Sequence, residues 1–167
     1  MKMTKCPNCR NPMETRRENY RYDAVGLPNV VLLDVEVRQC PSCGERAVAI
    51  PRIEQLHRSL AMAVIKRPGR LTPQEIRFLR KWRGWSGTDF ARHMGVDRAT
   101  VSRWESVDSP QAMGPVADRL LRLAIAHGEP ADEYPVSTLA GLDQDGDRTA
   151  LLRMRASRTG WEESAAA

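Results

Sequence analysis

Aromatic residues are scarce. They make up 5% of the 167 residues, and hydrophobic residues of every kind 41%. A small core with additional segments is expected rather than one large core. No stretch approaches the ~18 consecutive apolar residues of a membrane span. No apolar run follows Lys2 and Lys5, so no secretory leader is expected either. The expectation is a cytoplasmic protein without a membrane partner. Cysteine is sparse as well, with four in the chain. In a reducing compartment, paired thiols are more often metal ligands or redox catalysts than structural disulfides.

Acidic residues are short in the middle of the chain. Between Lys66 and Glu105 stand ten Lys or Arg against four Asp or Glu. From Glu129 onward the balance reverses, with four Arg against eight acids. The net charge of +5 is therefore concentrated centrally, where a polyanion is a plausible partner.

All four cysteines fall into two Cys-x-x-Cys pairs, Cys6/Cys9 in "CPNC" and Cys40/Cys43 in "CPSC", with none left over. A two-residue gap lets one tight turn offer two sulfurs from the same side, and tetrahedral Zn²⁺ takes four such ligands. Thioredoxin-like redox chemistry would need one motif at a helix N-terminus inside a βαβ unit, and no such unit is visible. With four protein ligands no position stays open for a reacting water, so the expected cofactor is one structural Zn²⁺. Between the pairs, 17–22 and 30–38 read as strands, the second alternating Leu33, Val35, Val37 against Asp34, Glu36, Arg38. Two or three strands cannot stand alone in water. The metal is expected to hold residues 1–50 together, with an apparent binding energy on the order of 10–16 kcal/mol. The histidines His57, His93 and His127 lie away from the cysteines and read as surface or partly packed side chains.

After Pro51 the pattern becomes helical, with Ile53, Leu56, Leu60 and Val64 at three- and four-residue steps. "KRPGR" at 66–70 reads as a linker or hinge. Thr72, Pro73 and Glu75 then mark a capped helix start, with Leu71 and Ile76 placed as a hydrophobic staple. Ser86 with Asp89 opens another helix, Gly95 closes it, and Asp97 caps a third. A fourth begins near Pro115 and carries Val116, Leu120, Leu123 and Ala124 on one face. In "SGTDFARHMGVDRATVSRWES", residues 86–106, Ala91 permits a close approach of two helices and Gly95 the turn between them. Phe90, Met94, Val96, Val101 and Trp104 fill the centre. This is the pattern of a helix-turn-helix. Any helical hairpin could share the caps. The distinguishing feature is the outward set Arg98, Ala99, Thr100, Ser102 and Arg103, short or cationic groups suited to a major groove. Ser86 and Gly87 are expected to offer backbone N–H groups to a phosphate. Lys66, Arg67 and Arg70 are candidates for the flanking DNA backbone. No nucleophile–base set is found, so no enzymatic activity is expected.

The fold class expected is α+β in two domains: a small zinc-bound, β-rich domain at 1–50 and an all-α helix-turn-helix domain at 71–128. A helix and linker at 51–70 join them. Residues 129–167 are expected to be a mostly disordered tail, with at most a short helix around Leu151, Leu152 and Met154.

The order "CPNC", "CPSCGE", then "LTPQEIRFLRKWRGWSGTDFARHMGVDRATVSRWE" resembles the MqsA-type antitoxins, also described as YgiT-type zinc finger and helix-turn-helix proteins. The helical half alone is similar to the wide Xre/Cro repressor family. The resemblance implies an autorepressor that binds a palindromic double-stranded DNA operator as a homodimer. It also implies a zinc domain that neutralises a small ribonuclease-type toxin. It matches Cys6, Cys9, Cys40 and Cys43 to zinc ligands and Arg103 to a base-reading arginine. Ala99 stands where the family places a base-reading asparagine, and the tail has no counterpart. The alternative is a free-standing regulator of transcription with no toxin partner.

Overall fold

The computed structural model describes residues 4–126 and 148–164, and the chain is α+β with a two-domain layout. Three strands come first: β1 (Glu14–Arg21), β2 (Val30–Gln39) and β3 (Arg46–Ala49). Helix α1 (Ile53–Lys66) follows, then α2 (Pro73–Trp82), α3 (Gly87–Met94), α4 (Arg98–Trp104) and α5 (Pro115–Ala126). The chain then returns to the sheet as β4 (Leu152–Ala156) and β5 (Trp161–Glu163).

β2 is the spine of the sheet. β1 lies antiparallel along one side of it. Its other side is shared: Glu36–Gln39 pair antiparallel with β3, and Val30–Leu33 pair parallel with β4. Asp34 sits between the two partners with φ 51°, a left-handed conformation that bends the strand where its partner changes. The Asn19 side chain accepts the Asp34 N–H there at 3.2 Å. The alternation read in the sequence places Val35 and Val37 inside and leaves Asp34 exposed.

The expected disordered tail is corrected within residues 148–164. Leu152, Met154 and Trp161 are buried, and the first two lie in a strand rather than a helix. Their alternate spacing matches the inner face of a strand, which three apolar residues in a charged segment do not reveal until β2 offers an edge. Further ties fix the returning strands. The Trp161 indole donates to Pro51 O at 2.8 Å, Ser59 Oγ to Trp161 O at 2.9 Å, and Asn29 Nδ2 to Arg148 O and Ala150 O, both at 2.9 Å. His127 and the acidic stretch 129–147 lie outside the described residues.

Helix α1 serves both halves. Leu60 to Ile65 are all buried, so this end is apolar around its whole circumference, as a helix packed on two sides must be. One side meets β4 and β5, the other α2 and α5. A continuous apolar core consequently runs from Tyr22, Val30 and Val37 through α1 to Phe90, Trp104 and Ile125.

The 66–70 segment, read in the sequence as a linker or hinge, is tied down by distant side chains. Arg122 on α5 is fully buried, and its guanidinium donates to Ile65 O, Arg67 O and Gly69 O at 2.7, 2.9 and 2.7 Å. Its Nε pairs with Asp118 at 2.6 Å, and the second Asp118 oxygen accepts the Leu71 N–H at 3.0 Å. Arg148 adds donors to Pro68 O and Val64 O while pairing with Glu75 at 2.5 Å. The last carbonyls of a helix have no partner within it, and the bonds to Ile65 O and Gly69 O are buried away from water. Two guanidiniums from distant segments satisfy them and also suit the negative helix end. Arg67 is drawn inward too, 3.8 Å from Glu75.

Arg122→Ala should lower unfolding stability by about 3–5 kcal/mol in urea titrations, because Asp118 and three carbonyls lose their partner. Arg122→Lys should recover only a minor part, since one ammonium cannot reproduce the forked set of donors.

Candidate metal centre and nucleic-acid interface

The two cysteine turns have the same backbone form. Arg10 N–H donates to Cys6 O at 2.9 Å, and Gly44 N–H to Cys40 O at 3.0 Å. Arg10 (φ 62°) and Gly44 (φ 76°) occupy the same place, four residues after the first cysteine, and both are left-handed. Glycine takes that conformation at little cost, whereas the first turn asks it of an arginine. Lys5 and Pro12 close the first turn by a bridge, and Met13 packs beneath it.

All four sulfurs lie within 4.8 Å of one another. Cys6 and Cys43 are 3.6 Å apart, Cys9 and Cys40 3.4 Å. A tetrahedron with Zn–S bonds of about 2.3 Å has edges of about 3.8 Å, so the spacing fits Zn²⁺. The donor chemistry agrees. The Cys43 backbone N–H, with other hydrogen bonds, lowers the Cys40 thiol to about 6. The Glu45 backbone favours the Cys43 thiolate too, yet hydrogen bonding to Cys9, burial and the other sulfurs push that thiol up to about 12. One thiolate opposes the next in so small a space unless a cation is present. The cysteines thus form a candidate zinc site at which Cys6, Cys9, Cys40 and Cys43 would be the ligands and the metal would supply cross-linking rather than catalysis.

This cluster is small and separate from the main core. The sheet residues Tyr22 to Val37 belong to the main core, which is sealed by α1 rather than by the metal turns. The expectation that metal alone holds residues 1–50 is therefore revised: the tail strands and α1 supply what three strands lack.

The helical half begins with two full capping boxes. Thr72 Oγ1 accepts from Glu75 N and Glu75 returns to Thr72 N; Ser86 and Asp89 do the same for α3. Gly95, at φ 67°, ends α3, and Asp97 accepts from Thr100 N at 2.6 Å to start α4. Backbone and side-chain hydrogen bonds from Thr100 lower the Asp97 carboxyl below its ordinary 3.8. The folded value lies below the unfolded one, so this cap is fully present above pH ~4 and is lost only as pH falls further. Phe90, Ala91, Val101 and Trp104 are buried where the sequence reading placed them, with Phe90 edge-on to Trp104 at 6.2 Å.

The opposite face of α4 is open. Arg98, Ala99, Ser102 and Arg103 are exposed and Thr100 half-buried, its hydroxyl accepting from Arg103 at 2.8 Å. The Arg98 guanidinium lies over Gly87, where a Cβ would come within 2.4 Å of Arg98 Nε. One expectation changes here. The Ser86 N–H already donates to Asp89 Oδ2 at 3.1 Å, so the capping box engages the amide meant for a phosphate.

Sequence reasoning missed the clamp behind α4. Arg80 pairs with both oxygens of Glu105 at 2.5 and 2.9 Å and donates to Trp85 O at 2.9 Å. Arg77 donates to Glu105 O at 2.6 Å. A carboxylate at a helix C-terminus opposes the helix dipole unless a cation answers it, and that was the legible signal. His57 bonds Tyr22 Oη at 2.9 Å, and the exposed His93 lies tilted against Trp85 with ring centroids 4.5 Å apart. Lys66 and Arg70 stay exposed, the latter donating to Met113 O at 3.3 Å.

The helix-turn-helix domain family matches residues 74–133. No curated protein and no solved structure matches the chain. The family match and the geometry of α3 and α4 support a DNA-binding regulator of transcription. No helix among the described residues is long and apolar enough to cross a membrane.

Cys40→Ser should reduce bound zinc, measured by elemental analysis, from one per chain to near none. Amide exchange should then accelerate in 4–13 and 40–45 while β2 and α1 stay protected. Loss of protection in α1 would show that the metal and the main core are one unit.

Proposed function

We propose that the chain is a sequence-specific repressor that binds a palindromic operator in double-stranded DNA as a homodimer, and an antitoxin of the MqsA type that represses its own operon. The observation that carries DNA recognition is the arrangement of α4: one face locked into the core and clamped through Glu105, the other presenting Arg98, Ala99, Thr100, Ser102 and Arg103. In a major groove Arg98 and Arg103 reach guanine edges, Ala99 meets a thymine methyl, and Thr100 and Ser102 make smaller base or phosphate contacts. Gly87, with Ser86 as its cap, sets the start of α3 against a phosphate.

The dimer rests on α5. Val116, Leu120 and Leu123 are 76%, 41% and 44% exposed and share one face at i, i+4, i+7. A two-fold pairing of this stripe would set two α4 helices for successive half-sites.

The antitoxin part rests on the four-cysteine centre preceding the helix-turn-helix. The zinc-bearing half would hold a small ribonuclease-type toxin. A specific observation favours the second reading, a free-standing regulator: β4 and β5 occupy one side of the sheet, where the family has no matching tail. Co-expression with the neighbouring reading frame decides between them. Co-purification and rescue from its toxicity support the antitoxin, and a neighbour that is neither toxic nor bound supports the second reading.

Arg103→Ala and Arg98→Ala should each weaken operator binding by about 10- to 100-fold in mobility-shift titrations, with less effect on unrelated DNA. Equal loss on all sequences would reduce them to phosphate contacts. Leu120→Arg should convert the dimer to a monomer in light scattering and abolish cooperative operator binding; an unchanged mass would remove α5 as the interface.

A further inference from the structure

We propose that the cleft between the Asp23–Gly26 turn and α2 binds a small organic carboxylate with an apolar body, and that its occupancy loosens the end of α4. The site stands on the cleft itself, whereas the effect on operator binding rests on the DNA-binding reading above.

The cleft has a volume of about 420 Å³, within the ~300–1,000 Å³ of small-molecule sites. One wall is the turn joining β1 to β2 and the other is α2, so it spans the sheet half and the helical half. Val25, Phe78 and Trp82 make its apolar lining, and Arg77 and Lys81, one helical turn apart, make a cationic side. Lys81 has no acidic partner among the described residues. The acid on the rim, Asp23, is already paired with Arg21 at 3.1 Å. His57 lies within the lining and burial lowers its pKa, so it stays neutral near pH 7. The positive charge of Lys81 therefore lies beside aromatic surface, the arrangement an aryl or alkyl carboxylate fills. The groove between α1 and β5 offers no such selection, because Glu162 and Glu163 line it together with Arg58 and Lys66.

Arg77 connects the cleft to α4. It lines the cleft, and the same guanidinium donates to Glu105 O at the C-cap of α4 and lies 3.8 Å from the Glu105 carboxylate. A ligand carboxylate is a stronger acceptor for this guanidinium than the Glu105 carbonyl, and it competes with a Glu105 carboxylate that stands 3.8 Å from Arg77 and is already held by Arg80. A bound carboxylate therefore draws Arg77 from Glu105 and removes one of the ties that hold α4 in place. Ligand and operator then oppose each other, by the same factor in either direction.

The test titrates the full-length, zinc-loaded protein with phenylacetate, following the Trp82 indole N–H by NMR, with 2-phenylethanol as the uncharged probe. A saturable shift is expected with phenylacetate, about tenfold weaker with 2-phenylethanol or in Lys81→Gln, and absent in Ala24→Trp, which fills the mouth. Saturating phenylacetate should weaken operator binding about tenfold in the natural chain and leave Ala24→Trp unchanged. No saturable shift up to about 10 mM, or equal affinity in Lys81→Gln, overturns the site. A saturable shift with unaltered operator affinity overturns the coupling. If the chain binds no operator, the DNA-binding reading and the coupling both fall, while the Trp82 titration still decides the site.

Discussion

The buried guanidinium of Arg122 is the interaction on which the arrangement of the halves depends. A helix that must end inside the protein leaves carbonyls without water or partners, and each costs about 1–3 kcal/mol if unmet. Arg122 meets those of residues 65, 67 and 69, and Asp118 neutralises its charge while also accepting the Leu71 amide. Because the donors project from α5 and the acceptors follow α1, this network fixes the helix-turn-helix against the sheet. Arg148 adds a second guanidinium from the returning tail and completes the enclosure of a segment that composition marks as flexible.

That rigidity changes what a zinc site in this chain is for. Residues 4–13 and 40–45 bury little beyond the small cluster of Cys6, Met13 and Cys40, so a metal at the candidate site would be their main cross-link. The sheet does not depend on it alone, since α1 and the last two strands complete its core. The metal turns are therefore a local surface feature mounted on a frame held by other means. In the helical half, α4 is fixed through a charged clamp, Arg77 and Arg80 on Glu105, rather than through apolar contact alone.

Local signals are legible wherever neighbours in sequence are neighbours in space. The capping boxes at Thr72 and Ser86, the αL stop at Gly95 and the Asp97 cap span three or four residues, so their chemistry is readable in the chain itself. The paired cysteines are legible for another reason: their ligand chemistry makes matched turns meaningful even thirty residues apart. The tail misleads because Leu152, Met154 and Trp161 form a strand face only once an unoccupied edge of β2 lies beside them. The 66–70 segment is hard to read because "KRPGR" carries every local mark of a linker, while its acceptors find donors 53 to 80 residues away.

The sequence by itself determined the helices and their caps, the outward set on α4 and the two paired cysteine turns, since these are fixed by covalent spacing and backbone geometry. Only the tertiary structure decided that the halves share α1, that β4 pairs parallel with β2, and that Arg122 and Glu105 are buried ionic centres. Those outcomes depend on which distant groups remain unsatisfied when the chain closes. A buried carbonyl or carboxylate selects its partner by desolvation and geometry, and neither is written in the spacing of residues along the chain.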